Sequence, residues 1–385
     1  MNRMQTQGNR LLSRRAFLRL AIALGLSPLL GACGRVERPL ATPIHLIKPT
    51  QQPWPSATVG TPTAASPSPS PTVSIPSSTA LAKEVTMSQV ALIRTSDRTG
   101  GVRRALSLLG TNGPAGGKVL LKPNYNSADP APGSTHSDVL RALVEWLREQ
   151  EVSSITVADR SGMGQTRRVM EQKGILALSQ ELSFQVQVLD ELGADEWELI
   201  QPPESHWQQG FPFPRLAQET DYILQTCCLK THRYGGHFTL SLKNSVGLVA
   251  KYVPGQSYNY MNELHSSPHQ RLMIAEINAV YVPDLIVLDG VEAFVKDGPD
   301  QGERVQANVL LASKDRVALD AVGVGILRHL GTTPEVSRGT VFDQEQIARA
   351  VELGLGVQGP EEIEILTDDE EGEVFAEQIR KILAA

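Results

Sequence analysis

Polar residues that could bind or transform a small anion gather in four short stretches, each directly after an apolar run. The first is Lys122-Pro123-Asn124-Tyr125-Asn126, after Lys118–Leu121. A lysine closing a strand can hold a carboxylate or phosphate, and Asn124 can orient a polar ligand atom. The competing reading is an exposed lysine followed by a turn asparagine. Further on, Ser134-Thr135-His136-Ser137 opens a helix. Unpaired N–H groups at a helix start favour anions, so His136 is a candidate acid/base or ligand as well as a capping residue. The second stretch, Asp159-Arg160-Ser161-Gly162-Met163-Gly164, puts an acid before Gly-x-Gly. That suits a phosphate- or metal-binding loop but lacks the full Gly-x-Gly-x-x-Gly of dinucleotide sites.

The third stretch is the most specific. Lys230-Thr231-His232-Arg233-Tyr234-Gly235-Gly236-His237 concentrates cations and histidines in a glycine-containing loop, and Leu240-Ser241-Leu242-Lys243-Asn244-Ser245-Val246-Gly247-Leu248 follows. A lysine in so apolar a helical segment must be paired, reach into a cleft or snorkel to solvent, because burying it alone is costly. The fourth, Asp289-Gly290-Val291-Glu292, sets carboxylates at a strand end as metal ligands or a general base. Lys243, His232 and Asp289 are thus the candidate catalytic groups. Lys122, Asn124, His136, Lys230, Asn244 and Asp159 are the candidate ligand-binding groups. Asp315 and Asp320 are expected to cap and polarise the helix after Val309–Ala312. His265 and His269 have i,i+4 spacing, but Pro268 between them argues against a metal pair on one helix.

The elements that must position these groups alternate. Strands are predicted at Val90–Arg94, Lys118–Lys122, Ser154–Ala158, Gln185–Leu189, Tyr222–Cys228, Leu285–Leu288, Val309–Ala312 and Ile363–Leu366. Helices are predicted at Gly101–Leu109, Ser137–Glu149, Arg167–Lys173, Gln270–Val280, Arg316–Leu330 and Gln344–Leu353, with an N-cap region at Ser137 and Thr166 as a candidate cap. Short apolar runs alternating with helices predict one α/β domain, a mostly parallel sheet with helices on both faces. In such sheets ligands bind beyond the carboxyl ends of the strands, where the four polar stretches fall.

The N-terminus reads as an address. Arg14-Arg15 precede an apolar run from Leu20 to Ala32, shorter than the roughly 20 residues a spanning helix needs. A charged region before a short apolar one is a secretory signal, and the paired arginines assign the twin-arginine route. Leu30-Gly31-Ala32-Cys33 resembles a lipobox, in which Cys33 is acylated and tethers the mature chain to the outer face of the cytoplasmic membrane or to the cell envelope. Residues 34–83 are a Pro/Ser/Thr-rich stalk with too few apolar residues to bury a core. The organisation expected is therefore a leader over 1–33, a stalk over 34–83 and an α/β domain over 84–385. Its partners would be the twin-arginine export machinery and, through the lipid, the membrane.

Charge excludes other partners. The chain has 36 basic and 42 acidic residues, and its first 33 residues hold five arginines and no acid, so the remainder carries 31 basic against 42 acidic. An acidic chain with no basic run is a poor partner for nucleic acid or anionic lipid. Beyond Cys33 only Cys227 and Cys228 remain. Adjacent strand residues point to opposite faces, so the two read as core residues, and no iron–sulfur or zinc spacing exists. The export route, associated with proteins folded before transport, leaves a metal or organic cofactor open.

Taken in order, Lys122-Pro123-Asn124, Thr135-His136, Lys230-Thr231-His232, Leu242-Lys243-Asn244 with Gly247, Asp289-Gly290, Gly298-Pro299 and Asp315-x-x-Ala318-Leu319-Asp320 resemble the family called domain of unknown function 362, from about Val90 to Leu330. Some members of that family carry a ferredoxin-like module with clustered cysteines, which this chain lacks. The resemblance implies a fold and a set of site positions, and leaves the chemistry open. Three functions fit: a catalyst acting on a small anionic molecule, a lipoprotein that binds a ligand or metal without transforming it, and a cell-surface assembly factor. The last requires the polar side chains to diverge in space.

Overall fold

A computed structural model describes residues 87–202 and 204–385. The chain divides into units Met1–Thr79 and Ala80–Ala385, and all described residues belong to the second. Arg14, Arg15, Cys33 and the stalk lie outside the described residues.

Eleven strands form: β1 (Ser88–Arg94), β2 (Lys118–Lys122), β3 (Ser154–Asp159), β4 (Gln185–Val188), β5 (Trp197–Ile200), β6 (Phe211–Pro214), β7 (Tyr222–His232), β8 (His237–Thr239), β9 (Leu285–Lys296), β10 (Glu303–Ser313) and β11 (Ile363–Leu366). Nine make one sheet in the order β11-β1-β10-β9-β7-β2-β3-β4, with β8 added to the end of β7; β5 and β6 form a separate antiparallel pair. Contacts along the path are parallel except those of β10, which is antiparallel to both β1 and β9. The β8 hairpin is antiparallel as well. The sheet is thus mostly parallel, as the alternation predicts.

All eight predicted strands form, and three of them, β7, β9 and β10, run well beyond their apolar runs. The β7 strand continues through Lys230 to His232, because every one of its residues is buried and β8 pairs with its end. The β9 strand continues past Asp289 to Lys296 beside β10.

Alternation along the strands sorts the core into layers on the two faces. Ala91, Ile93, Val119, Leu121, Ile155 and Val157 pack under the helices Arg98–Leu108 and Ser137–Glu149. That second helix buries Val139, Leu140, Leu143, Val144 and Leu147, the spacing of one helical face. On the other face Val90, Leu92, Cys227, Leu229, Ile286 and Leu288 meet the helices Arg316–His329 and Glu370–Leu383. A third cluster joins Leu120, Ala158 and Ile223 to Phe211, Phe213 and the helices Tyr260–Ser266 and Gln270–Ile277. Cys227 and Cys228 are buried and unbonded, and burial raises both thiols, Cys228 to about 11. They are core residues with no reactive thiolate.

Two expectations about caps change. Asp315 caps Arg316–His329, accepting from Val317 N at 2.8 Å and Ala318 N at 3.0 Å. Asp320 does not serve that helix. Its carboxylate points from the helix interior to a different segment and accepts from Ser241 N at 2.7 Å and Leu242 N at 2.9 Å. Thr166 is the first helical residue rather than a cap, and its hydroxyl accepts from Ser161 N at 2.9 Å. Among the described residues no helix is long and apolar enough to cross a membrane.

Candidate active site

Strand order locates the site. From β2 the chain moves to β3 and β4 on one side, then returns to place β7 on the other side of β2 and continues outward to β9. The order therefore reverses between β2 and β7, and loops leaving the carboxyl ends of these two strands diverge and leave a crevice. A cavity of about 370 Å³ lies there.

Lys122 ends β2 and Asp159 ends β3. Their side chains pair at 2.8 Å, Nζ to Oδ1, and both are buried. Lys122 Nζ also donates to Pro123 O at 2.6 Å and to Asn244 Oδ1 at 3.1 Å, so its three donors are used. Asp159 accepts in addition from Tyr125 N at 2.6 Å and Arg160 N at 2.8 Å. Burial pushes the carboxyl up and the amine down, each opposed by the other's charge. Gly247 permits this pair: a Cβ there would lie 2.3 Å from Asp159 Oδ1 and 2.7 Å from Lys122 Nζ.

A chain of amides leads from the pair to β7. Asn244 Oδ1 accepts from Asn124 Nδ2 at 3.1 Å, and Asn124 Oδ1 accepts from Lys230 Nζ at 2.8 Å. Asn244 Nδ2 donates to Thr226 O at 3.0 Å. Lys230 Nζ donates to Gly133 O as well. Arg160 follows Asp159 and is buried, its guanidinium donating to Val249 O at 2.8 Å, to Ser161 O at 3.2 Å and to Val246 O. Among the described residues neither Lys230 nor Arg160 has a side-chain carboxylate at ion-pairing distance, and burial lowers the pKa of both.

Lys243 lies on the helical turn Ser241–Asn244, whose first N–H groups Asp320 holds. Its side chain is buried, lines the cavity and meets no hydrogen-bond acceptor among the described residues. Burial, with the charges of Lys230 and Arg160 behind it, pulls the amine down to about 7. His232 Nδ1 accepts the Gly236 N–H at 3.2 Å, which places its proton on Nε2. Burial and then Lys243 hold this imidazole neutral, well below its ordinary range.

The cavity thus brings together seven of the nine candidate residues: Lys122, Asn124, Asp159, Lys230, His232, Lys243 and Asn244. Asp289 and His136 do not line it. Arg98 Nε holds Asp289 Oδ2 at 2.8 Å, and Val291 N donates to its other oxygen at 3.1 Å. A carboxylate so engaged outside the cavity is not the base expected of it. His136 is the cap of Ser137–Glu149, its Nδ1 accepting from Asp138 N at 3.2 Å.

Among the lining residues outside the predicted set, three carry an imidazole or a cationic group: His265, Arg160 and Lys251. His265 comes from the helix Tyr260–Ser266, and its Nδ1 donates to Met261 O at 2.7 Å, leaving Nε2 bare. Asn259, which caps that helix by accepting from Asn262 N at 2.9 Å, was its one legible signal. His269 instead stacks on His206, with ring centroids 4.6 Å apart. Arg160 reads in sequence as an ordinary loop arginine. Lys251 lines the rim, with Nζ 5.9 Å from the centroid of the Tyr252 ring. Among the described residues no three His, Cys, Asp or Glu side chains are placed to hold a metal ion.

Fold and cavity define an α/β protein with a polar crevice at the reversal of its strand order. The chain belongs to the family described as domain of unknown function (DUF362), whose profile matches residues 119–325. It is 27% identical over 294 residues to thylakoid-associated protein sll1697 of Synechocystis sp., a match spanning 72% of this chain and 86% of that one. Among solved structures it resembles the lactate racemase apoprotein from Thermoanaerobacterium thermosaccharolyticum, at 14% identity and TM-score 0.37, over 75% of this chain and 85% of the other.

Proposed function

We propose that this protein is an enzyme acting on a small molecule that carries a carboxylate or phosphate group, with Lys243 as the group that touches the reacting atoms. One observation carries the reading. Lys230, Arg160 and Lys243 line one cavity, all buried, and among the described residues none has a side-chain carboxylate at ion-pairing distance. The single lining carboxylate among those residues, Asp159, is taken by Lys122. Uncompensated buried cations are costly, and an anion entering the cavity removes that cost. Lys230 and Arg160 supply attraction, Asn124 and Asn244 hold Lys230 and Lys122 in place, and Lys243, lowered to about 7, is partly unprotonated at neutral pH and in that form can accept a proton or attack a carbon. The convergence of these side chains favours a ligand site over an assembly surface.

The same reading includes export. Arg14-Arg15 and Cys33 support twin-arginine transport of a folded protein and lipid attachment at the outer face of the cytoplasmic membrane, with the cavity facing the extracytoplasmic side.

Calorimetry tests the site. The purified full-length chain is titrated with oxalate and with inorganic phosphate. Binding of one anion per chain is expected, accompanied by proton uptake just above neutral pH, because the anion raises the Lys243 pKa. Lys243→Met leaves no partner unpaired, so it should fold and bind the anion at least about tenfold more weakly. No binding of either anion, or equal binding by the variant, would overturn the reading.

A further inference from the structure

Lys243 differs from the other two lysines deep in the cavity. Lys122 Nζ meets three acceptors and Lys230 Nζ meets two, whereas Lys243 Nζ meets none among the described residues. Its stem runs beside Gly236. A methyl group on Gly236 would lie 2.7 Å from Lys243 Cε and 2.8 Å from His232 Nδ1, so glycine lets amine and imidazole approach.

Two imidazoles of opposite polarity line the same cavity. His232 presents an N–H at Nε2, because its Nδ1 is an acceptor. His265 presents a lone pair at Nε2, because its Nδ1 must be protonated to bond Met261 O. Burial keeps both neutral, with Lys243 as the next cause in each. Among the described residues an unbonded amine, one donor and one acceptor therefore share a cavity with two cations that lack a carboxylate partner. That set matches the needs of an amine adding to a carbonyl in a molecule that also bears an anion.

We propose that Lys243 forms an imine with a small carbonyl compound carrying a carboxylate or phosphate group. The proposal rests on the anion-binding reading above and names the substrate class. The Nζ lone pair attacks the carbonyl carbon, and the C=O π electrons move to oxygen, which His232 Nε2–H stabilises. His265 Nε2 takes a proton from the attacking nitrogen. The oxygen then leaves as water with the two protons that nitrogen gave up, and a C=N bond replaces the C=O bond. No oxidant or reductant is consumed. With its pKa lowered to about 7, a substantial fraction of this amine is unprotonated just above neutral pH and can attack directly, as nucleophilic lysines near a second cation do.

The test is reductive trapping. The full-length chain is incubated slightly above neutral pH with pyruvate, or with dihydroxyacetone phosphate, plus cyanoborohydride, and its peptides are mapped by mass spectrometry. One adduct per chain is expected, on Lys243, forming at least about tenfold faster than on exposed lysines such as Lys381. The probe that reacts identifies the anion as carboxylate or phosphate, and excess oxalate or inorganic phosphate should slow it. Lys243→Arg, which cannot form an imine, should give no adduct at that position. Adducts spread over exposed lysines, with Lys243 no faster, would overturn the imine. If oxalate or phosphate binds but no Lys243 adduct forms with either probe, the imine fails and the anion site stands; if nothing binds and nothing is trapped, both fail.

Discussion

Lys122 Nζ and Asp159 Oδ1 lie 2.8 Å apart at the ends of adjacent parallel strands, both side chains buried. The contact locks the floor of the cavity, because the same ammonium holds Asn244 and the same carboxylate holds the backbone at Tyr125 and Arg160. It neutralises two charges against each other, leaving those of Lys230 and Arg160 to attract a ligand.

Asp159→Asn should therefore cost about 3–5 kcal/mol, the penalty of stranding a buried lysine. The double variant Lys122→Met/Asp159→Leu should recover a large part of that loss. Urea unfolding of wild type, Lys122→Met, Asp159→Leu and the double variant gives the coupling. Additive losses would show that the pair does not act as a unit.

Gly247→Ala places a methyl group inside the same contact, 2.3 Å from Asp159 Oδ1. A destabilisation of about 1–3 kcal/mol is expected, with loss of oxalate or phosphate binding. Unchanged thermal unfolding and binding would show that the pair moves aside freely.

Lys243 sets a pH dependence whose sign follows from its lowered pKa. The folded chain releases this proton near pH 7 and the unfolded chain near 10.5. Between those values the unfolded state binds more protons, so this group makes stability rise with pH across the window. Lys243→Met removes the effect. The variant should be more stable than wild type at neutral pH by on the order of 4 kcal/mol, the gap closing towards pH 10.5. Denaturant titrations at several pH values measure it, and a gap independent of pH would contradict the assignment.

Cys33→Ser should shift the protein from the membrane fraction to the soluble fraction, and replacing Arg14 and Arg15 by lysine should retain it in the cytoplasm. Fractionation followed by immunoblotting reads both. An unchanged distribution in both variants would remove the lipoprotein reading.

Much of the fold was legible because strands covered on both faces leave short apolar runs with polar residues at their ends. Lys122, Asp159 and Lys230 were found this way, and all three reach the cavity. Direction is not written in such runs. Nothing in Val309–Ala312 announces that β10 is antiparallel, since its register with β9 is set by residues as distant as Glu303 and Lys296. The same locality misplaced Asp289, a strand-end acid like Asp159 until Arg98, nearly two hundred residues earlier, captures it. His265 was passed over for the converse reason: its local neighbours gave no hint that a helix beyond β8 would turn it toward Lys243.

The position of β1 has a mechanical consequence. The described chain begins beside this strand, and β1 is flanked on one side by β10 and on the other by β11. A load applied at residue 87 along the strand axis strains both ladders at once, from Ser88↔Ile363 to Arg94↔Val309. Because their hydrogen bonds lie across that axis, they are sheared together and do not open one after another. Pulled from this end, the domain should resist as a sheared fabric does, while the same pull directed across the strand would open it like a zip.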